Sequence, residues 1–65
     1  MEEKYSIYQL EGNVFSIIGT VQEWMEENGL PKEEIKAYAE NCQKSNSYEE
    51  ILKITQKVIE KLNRI

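Results

Sequence analysis

Two clusters in this chain carry residue types that could bind a ligand. The first is Gly12-Asn13-Val14-Phe15-Ser16-Ile17-Ile18-Gly19. A glycine followed by a helix-capping asparagine leaves free backbone N–H groups at a helix start, and these can hold an anion beside the Asn13 and Ser16 side chains. Gly19 falls inside the helix that follows, where glycine costs about 1 kcal/mol relative to alanine. A close helix crossing, or a ligand approaching the backbone, is therefore expected there. The competing reading is structural: Gly12 is a turn, Asn13 a cap and Gly19 a packing site. The segment is not a phosphate loop, because no lysine follows the second glycine at the required spacing. The second cluster is Lys53, Lys57 and Lys61, four residues apart, with Arg64 close behind. That spacing lines the ammonium groups along one helix face, a basic ridge suited to phosphates or an acidic partner. Glu49 and Glu60 dilute it, so a plain solvated face is the alternative.

Glu23, Glu26 and Glu27, and then Glu33 and Glu34, gather carboxylates of the kind that do acid–base work or hold a divalent ion. With no surrounding signature they read as solvated helix ends, or as salt partners for the lysine ridge of another copy. Histidine is absent and Cys42 is the only cysteine. Histidine-dependent catalysis, an internal disulfide and a cysteine-based zinc cluster are thereby removed. Cys42, on an apolar helix face, reads as an inert buried thiol. No nucleophile–base pairing is visible. The expectation is a protein that is not an enzyme, with no metal and no cofactor.

Sixty-five residues make a single domain, 1–65, of a size at which burial barely exceeds conformational entropy. A second copy would add the burial that one chain lacks, so a homodimer or higher oligomer is expected. The net charge is −4 and uneven: residues 1–30 hold six Glu and Lys4 alone, residues 31–65 six Glu, six Lys and Arg64. This balance argues against general nucleic-acid affinity. The start, MEEKYSIY, has no basic, apolar leader pattern, and no apolar run is long enough to span a membrane. With a lone thiol, a reducing cytosol is the expected location.

These groups must be positioned by few elements, and the expected class is mainly α. Lys4–Leu10 (KYSIYQL, residues 4–10) alternates loosely and is rich in Tyr and Ile, as an extended or β segment would be. With no second strand in the chain, it either pairs with the same segment of another copy across a two-fold axis or lies as an arm across the helices. A first helix is expected over about 13–28, capped by Asn13, with a wide stripe of Val14, Phe15, Ile17, Ile18, Val21, Trp24 and Met25. Asn28-Gly29 stops it. Pro31 opens a second helix over about 31–44, with the narrower stripe Ile35, Tyr38, Ala39 and Cys42. A capping box at Ser47 and Glu50 starts the third, over about 47–64. Its main stripe is expected to be Ile51, Ile54, Val58, Leu62 and Ile65, with Leu52, Thr55 and Ile59 beside it. Short loops should make the three a compact antiparallel bundle. Tyr5, Tyr8 and Trp24 are surplus aromatics suited to an interface.

In Glu11-Gly12-Asn13-x-Phe15-x-Ile17-x-Gly19, Gly29, Glu33-Glu34-Ile35 and Ser45-Asn46-Ser47-Tyr48, the chain resembles a group of short uncharacterised phage and prophage proteins. Their first helix begins with an acidic-Gly-Asn-x-Phe-x-Ile pattern. The resemblance covers about residues 10–60 through short motifs. It departs at the second turn, where Asn46-Ser47 replaces a Gly-Asp pair, and in a longer basic tail. It implies a viral context and a small protein of the host cytosol, and carries over no catalytic residue. The expected function is a non-catalytic, oligomeric phage-type binding protein acting as inhibitor or adaptor of a host protein, for instance one of host defence. The alternative is an oligomeric sequesterer of an anionic small molecule such as a nucleotide signal. Asn13 and Ser16 would then hold the ligand, with Lys53, Lys57 or Lys61 supplying charge.

Overall fold

Each helix begins where its N-terminal N–H groups find an acceptor or a ring that dispenses with one. In the computed structural model, which describes residues 4–65, α1 spans Val14–Glu27, α2 Lys32–Lys44 and α3 Tyr48–Arg64. Asn13 Oδ1 accepts from the Phe15 N–H at 2.8 Å and the Ser16 N–H at 3.3 Å, satisfying two otherwise orphaned donors. Pro31, its φ fixed at −60°, precedes α2 without a side-chain bond. Ser47 Oγ accepts from the Glu50 N–H at 3.2 Å and caps α3. α1 stops in a Schellman turn: Gly29 takes φ 75°, its N–H reaches Glu26 O at 3.0 Å, and the Leu30 N–H reaches Met25 O at 3.1 Å. Residues 1–3, the start of the stretch read for a leader, lie outside the described residues.

The extended segment expected over residues 4–10 is not a strand, and no strand occurs among the described residues. Ile7–Gln9 form a short 3-10 turn instead. It is closed by a capping box in which Ser6 Oγ accepts from the Tyr8 N–H and Gln9 Oε1 accepts from the Ser6 N–H. This turn and Tyr5 form the arm, one of the two expected arrangements, and it packs on α3 of its own chain. The reason is Asn63. Its Oδ1 accepts from the Tyr5 N–H and its Nδ2 donates to the Tyr5 carbonyl, both at 2.9 Å. One side-chain amide thus gives the arm the donor and acceptor that a neighbouring strand would have supplied. The Tyr5 hydroxyl accepts from Asn28 Nδ2 at 2.8 Å, and its ring tilts against Trp24 with centroids 4.7 Å apart.

Ile17, Val21 and Met25 from α1, Tyr38 and Cys42 from α2, and Ile51, Ile59 and Leu62 from α3 close the core with Tyr5. α3 is rotated from the expected stripe. Its innermost line is Ile51, Thr55, Ile59 and Leu62, while Ile54 and Val58 are half-buried at its flank and Ile65 is exposed. Thr55 reaches the centre because its Oγ1 and the Tyr38 hydroxyl share a hydrogen bond at 2.8 Å, which removes the penalty for burying each alone.

Tyr38→Phe is expected to strand the Thr55 hydroxyl and lower unfolding stability in urea by about 1–3 kcal/mol. Adding Thr55→Val should recover part of that loss; a single variant as stable as wild type would refute the coupling. Asn63→Leu should release the arm and shift Trp24 fluorescence to longer wavelength. Unchanged emission would mean that the amide does not hold Tyr5.

Candidate functional site

The structure engages two of the sequence-marked polar side chains, Asn13 and Lys61, in folding. Asn13 is exposed, but its side-chain oxygen is engaged in capping α1. Gly12 lies in the exposed segment before it, and Ser16 is half-buried in the first turn. Lys61 pairs with Glu34 across α2 and α3, so the ridge of Lys53, Lys57 and Lys61 has two exposed lysines and one committed to an ion pair. A Cβ placed on Gly19 would meet nothing within 4 Å. The close helix crossing expected there does not occur within the chain.

The aromatic candidates divide. Tyr5, expected to face a partner, is 5% exposed, because the Asn63 clamp draws it into its own core. Trp24 is half-buried beneath it. Tyr8 alone of the three stands in solvent, 94% exposed, and Phe15 joins it at 85%. Phe15 had been expected within the helical stripe. The α1 core line of Ile17, Val21 and Met25, each four residues on, turns it outward.

A groove of about 560 Å³ lies between α1 and α2. Its apolar floor is Leu30, Ile35 and Ala39, and its charged rim is Glu26 and Glu40 with Lys32 and Lys36. The Gly29 turn sets Leu30 at one end, and α2 presents Ile35 and Ala39 one turn apart. Since Tyr38 points into the core, its neighbour Ala39 falls on the flank, and a methyl is too small to fill the space between the helices. The signal available in the sequence was the narrow α2 stripe, with an alanine where a bulky residue would have closed the bundle. None of Gly12, Asn13, Ser16, Gly19, Lys53, Lys57 or Lys61 lines this groove. Lys61 and Glu34 instead border a smaller hollow of about 210 Å³ between α2 and α3, with Ile54 and Val58.

An apolar floor between charges of both signs lacks the concentrated positive charge that a small anion needs. The nucleophilic groups lie elsewhere. Burial pushes the Tyr38 hydroxyl well above the usual phenol range, partly offset by its bond to Thr55. Burial also pushes the Cys42 thiol up, with the Tyr38 hydroxyl drawing it partway back. Both are held neutral at physiological pH. Among the described residues no three His, Cys, Asp or Glu side chains gather to hold a metal ion, and no helix is long and apolar enough to cross a membrane.

Both shifts give the fold an alkaline limit. The folded chain keeps protons on Cys42 and Tyr38 at pH values where the unfolded chain loses them, so their contribution is full below the ordinary thiol value of 9.0 and is lost above it. The loss continues past 10.0 as the unfolded phenol ionises. Urea midpoints should therefore fall above pH 9, and Cys42→Ala should delay the onset to about pH 10. A midpoint flat to pH 11 would contradict the burial of both groups.

No family model, curated protein or solved structure matches the chain.

Proposed function

We propose that this chain is a small non-catalytic binding protein of the phage-encoded kind, which engages a host protein as inhibitor or adaptor through the α1–α2 groove. The supporting observation is the groove itself, with half-buried Leu30, Ile35 and Ala39 as its floor between rims of both signs. Apolar anchors of a partner helix would desolvate that floor, and Glu26, Glu40, Lys32 and Lys36 would select the orientation of its charged flanks. The host cytosol as the place of action rests on the phage resemblance and the lone thiol. A nucleotide sequesterer built on Asn13 and Ser16, with Lys53, Lys57 or Lys61 supplying charge, is less favoured, because Asn13 caps α1, Lys61 pairs with Glu34 and none of the five lines the groove.

Ala39→Arg tests this reading. It fills the groove with a long charged side chain while leaving Tyr38 and Cys42 in place. The wild-type chain, immobilised, should retain a specific host protein, and the variant should weaken that binding by ~30-fold, the effect of losing about 2 kcal/mol at an interface centre. Equal binding by a variant of unchanged helicity would remove the groove from the function. Retention of no host protein by the wild type would remove the host-directed reading altogether.

A further inference from the structure

Asn28 is the one asparagine of the chain followed by glycine. That pair is chemically reactive, because the next backbone nitrogen can attack the side-chain amide and glycine puts no Cβ in its way. The Gly29 nitrogen bonds to Cγ of Asn28, the Cγ–Nδ2 bond breaks, and Nδ2 leaves as ammonia carrying the Gly29 proton. Water then opens the cyclic imide at one of its two carbonyls, leaving aspartate or isoaspartate. Water is the only co-reactant.

The folded chain holds this reaction back at three points. The Asn28 ψ of 8° points the Gly29 nitrogen away from the side chain, whereas ring closure needs it swung over Cβ. The Gly29 N–H is engaged with Glu26 O at 3.0 Å. The leaving nitrogen, Nδ2, donates to Trp24 O at 2.7 Å and to the Tyr5 hydroxyl at 2.8 Å. All but the last of these contacts belong to the end of α1 itself, and helix ends fray. The Tyr5 bond reaches across from the arm, and Tyr5 is fixed in turn by Asn63 on α3. Among these restraints it alone ties the Asn28 amide to the rest of the fold.

We propose that Asn28 is a self-modifying site, gated by the Tyr5 hydroxyl, and that its conversion releases the N-terminal arm. While the hydroxyl holds Nδ2, the amide stays turned from Gly29 and the turn stays closed. When the arm lifts, the turn frays, ψ is freed and the imide forms. The product does not restore the latch. A carboxylate has no proton to give the Trp24 carbonyl, and its oxygen repels that carbonyl where Nδ2 had bonded it. The Tyr5 hydroxyl can turn and donate to the new carboxylate; the Trp24 carbonyl has no such recourse. The added charge also lies at the negative pole of α1, beside Glu26 and Glu27. Isoaspartate lengthens the backbone within the turn that leads to Leu30. Because ammonia is lost, the arm opens one way and leaves Tyr5 and Trp24 uncovered.

Chains held in warm neutral buffer and followed by peptide mass spectrometry test the gate. Tyr5→Phe keeps the ring and the Asn63 clamp and removes only the hydroxyl. It should convert Asn28 roughly fivefold faster than wild type, the effect of losing one net hydrogen bond. Tyr38→Phe removes a hydroxyl bond from between α2 and α3 instead, and should leave the Asn28 rate within about twofold of wild type. The rate at Asn46, exposed and followed by serine, should be the same in all three. Asn28→Asp should shift Trp24 emission to longer wavelength at unchanged helicity and lower the Tm by about 4 °C or more. Equal conversion at Asn28 in Tyr5→Phe and wild type, or an equal acceleration by Tyr38→Phe, would overturn the gate. An Asn28→Asp chain with wild-type emission would overturn the release of the arm.

Discussion

The hydrogen bond between Tyr38 and Thr55, buried between α2 and α3, fixes the rotation of both helices, and much of the molecule follows from that choice. A hydroxyl at the centre of an apolar core is tolerated only with a partner. The pair therefore sets Thr55 inward and turns the rest of α3 around it. Ile51, Ile59 and Leu62 follow Thr55 into the core, and Ile54 and Val58 move to the flank. Asn63, next to Leu62, comes to face the N-terminal arm. On α2, Tyr38 pointing inward leaves Ile35 and Ala39 on the side facing α1, where they floor the groove. One polar contact thus connects the core, the docking of the arm and the open surface.

Several polar residues chosen in the sequence for binding serve the fold. Asn13 ends a helix, Lys61 bridges two helices, and Tyr5 closes the core beneath an amide clamp. In a chain this small the burial available from one core is slight, so each strong donor or acceptor near an element boundary is drawn into satisfying backbone groups. What remains for recognition is unremarkable in sequence: an alanine and an isoleucine on a flank, a leucine after a turn, an exposed phenylalanine. A surface of this composition recognises by shape and desolvation, with charge setting orientation.

Helix positions were legible because their causes are local. Asn13, Pro31 and Ser47 precede the three helices, and Gly29 adopts the conformation that ends the first. Each effect acts within one turn of chain and needs no knowledge of the rest. The mainly helical class, the three elements and the buried thiol of Cys42 follow from that level together with the spacing of apolar residues.

Contacts between distant parts of the chain were decided only in three dimensions. KYSIYQL has the composition of a strand, yet an amide at position 63 satisfies the backbone at position 5 and removes the need for a strand partner. Period and hydrophobicity favoured Ile54 and Val58 for the α3 core, but Thr55 takes the central position, where its hydroxyl is paired with that of Tyr38. The groove is likewise a property of two helices at once: Ala39 looks like core in its own stripe and becomes floor only where α1 and α2 face each other. The sequence by itself determined where helices begin and end. The tertiary structure decided which faces meet, and so which surface is left for a partner.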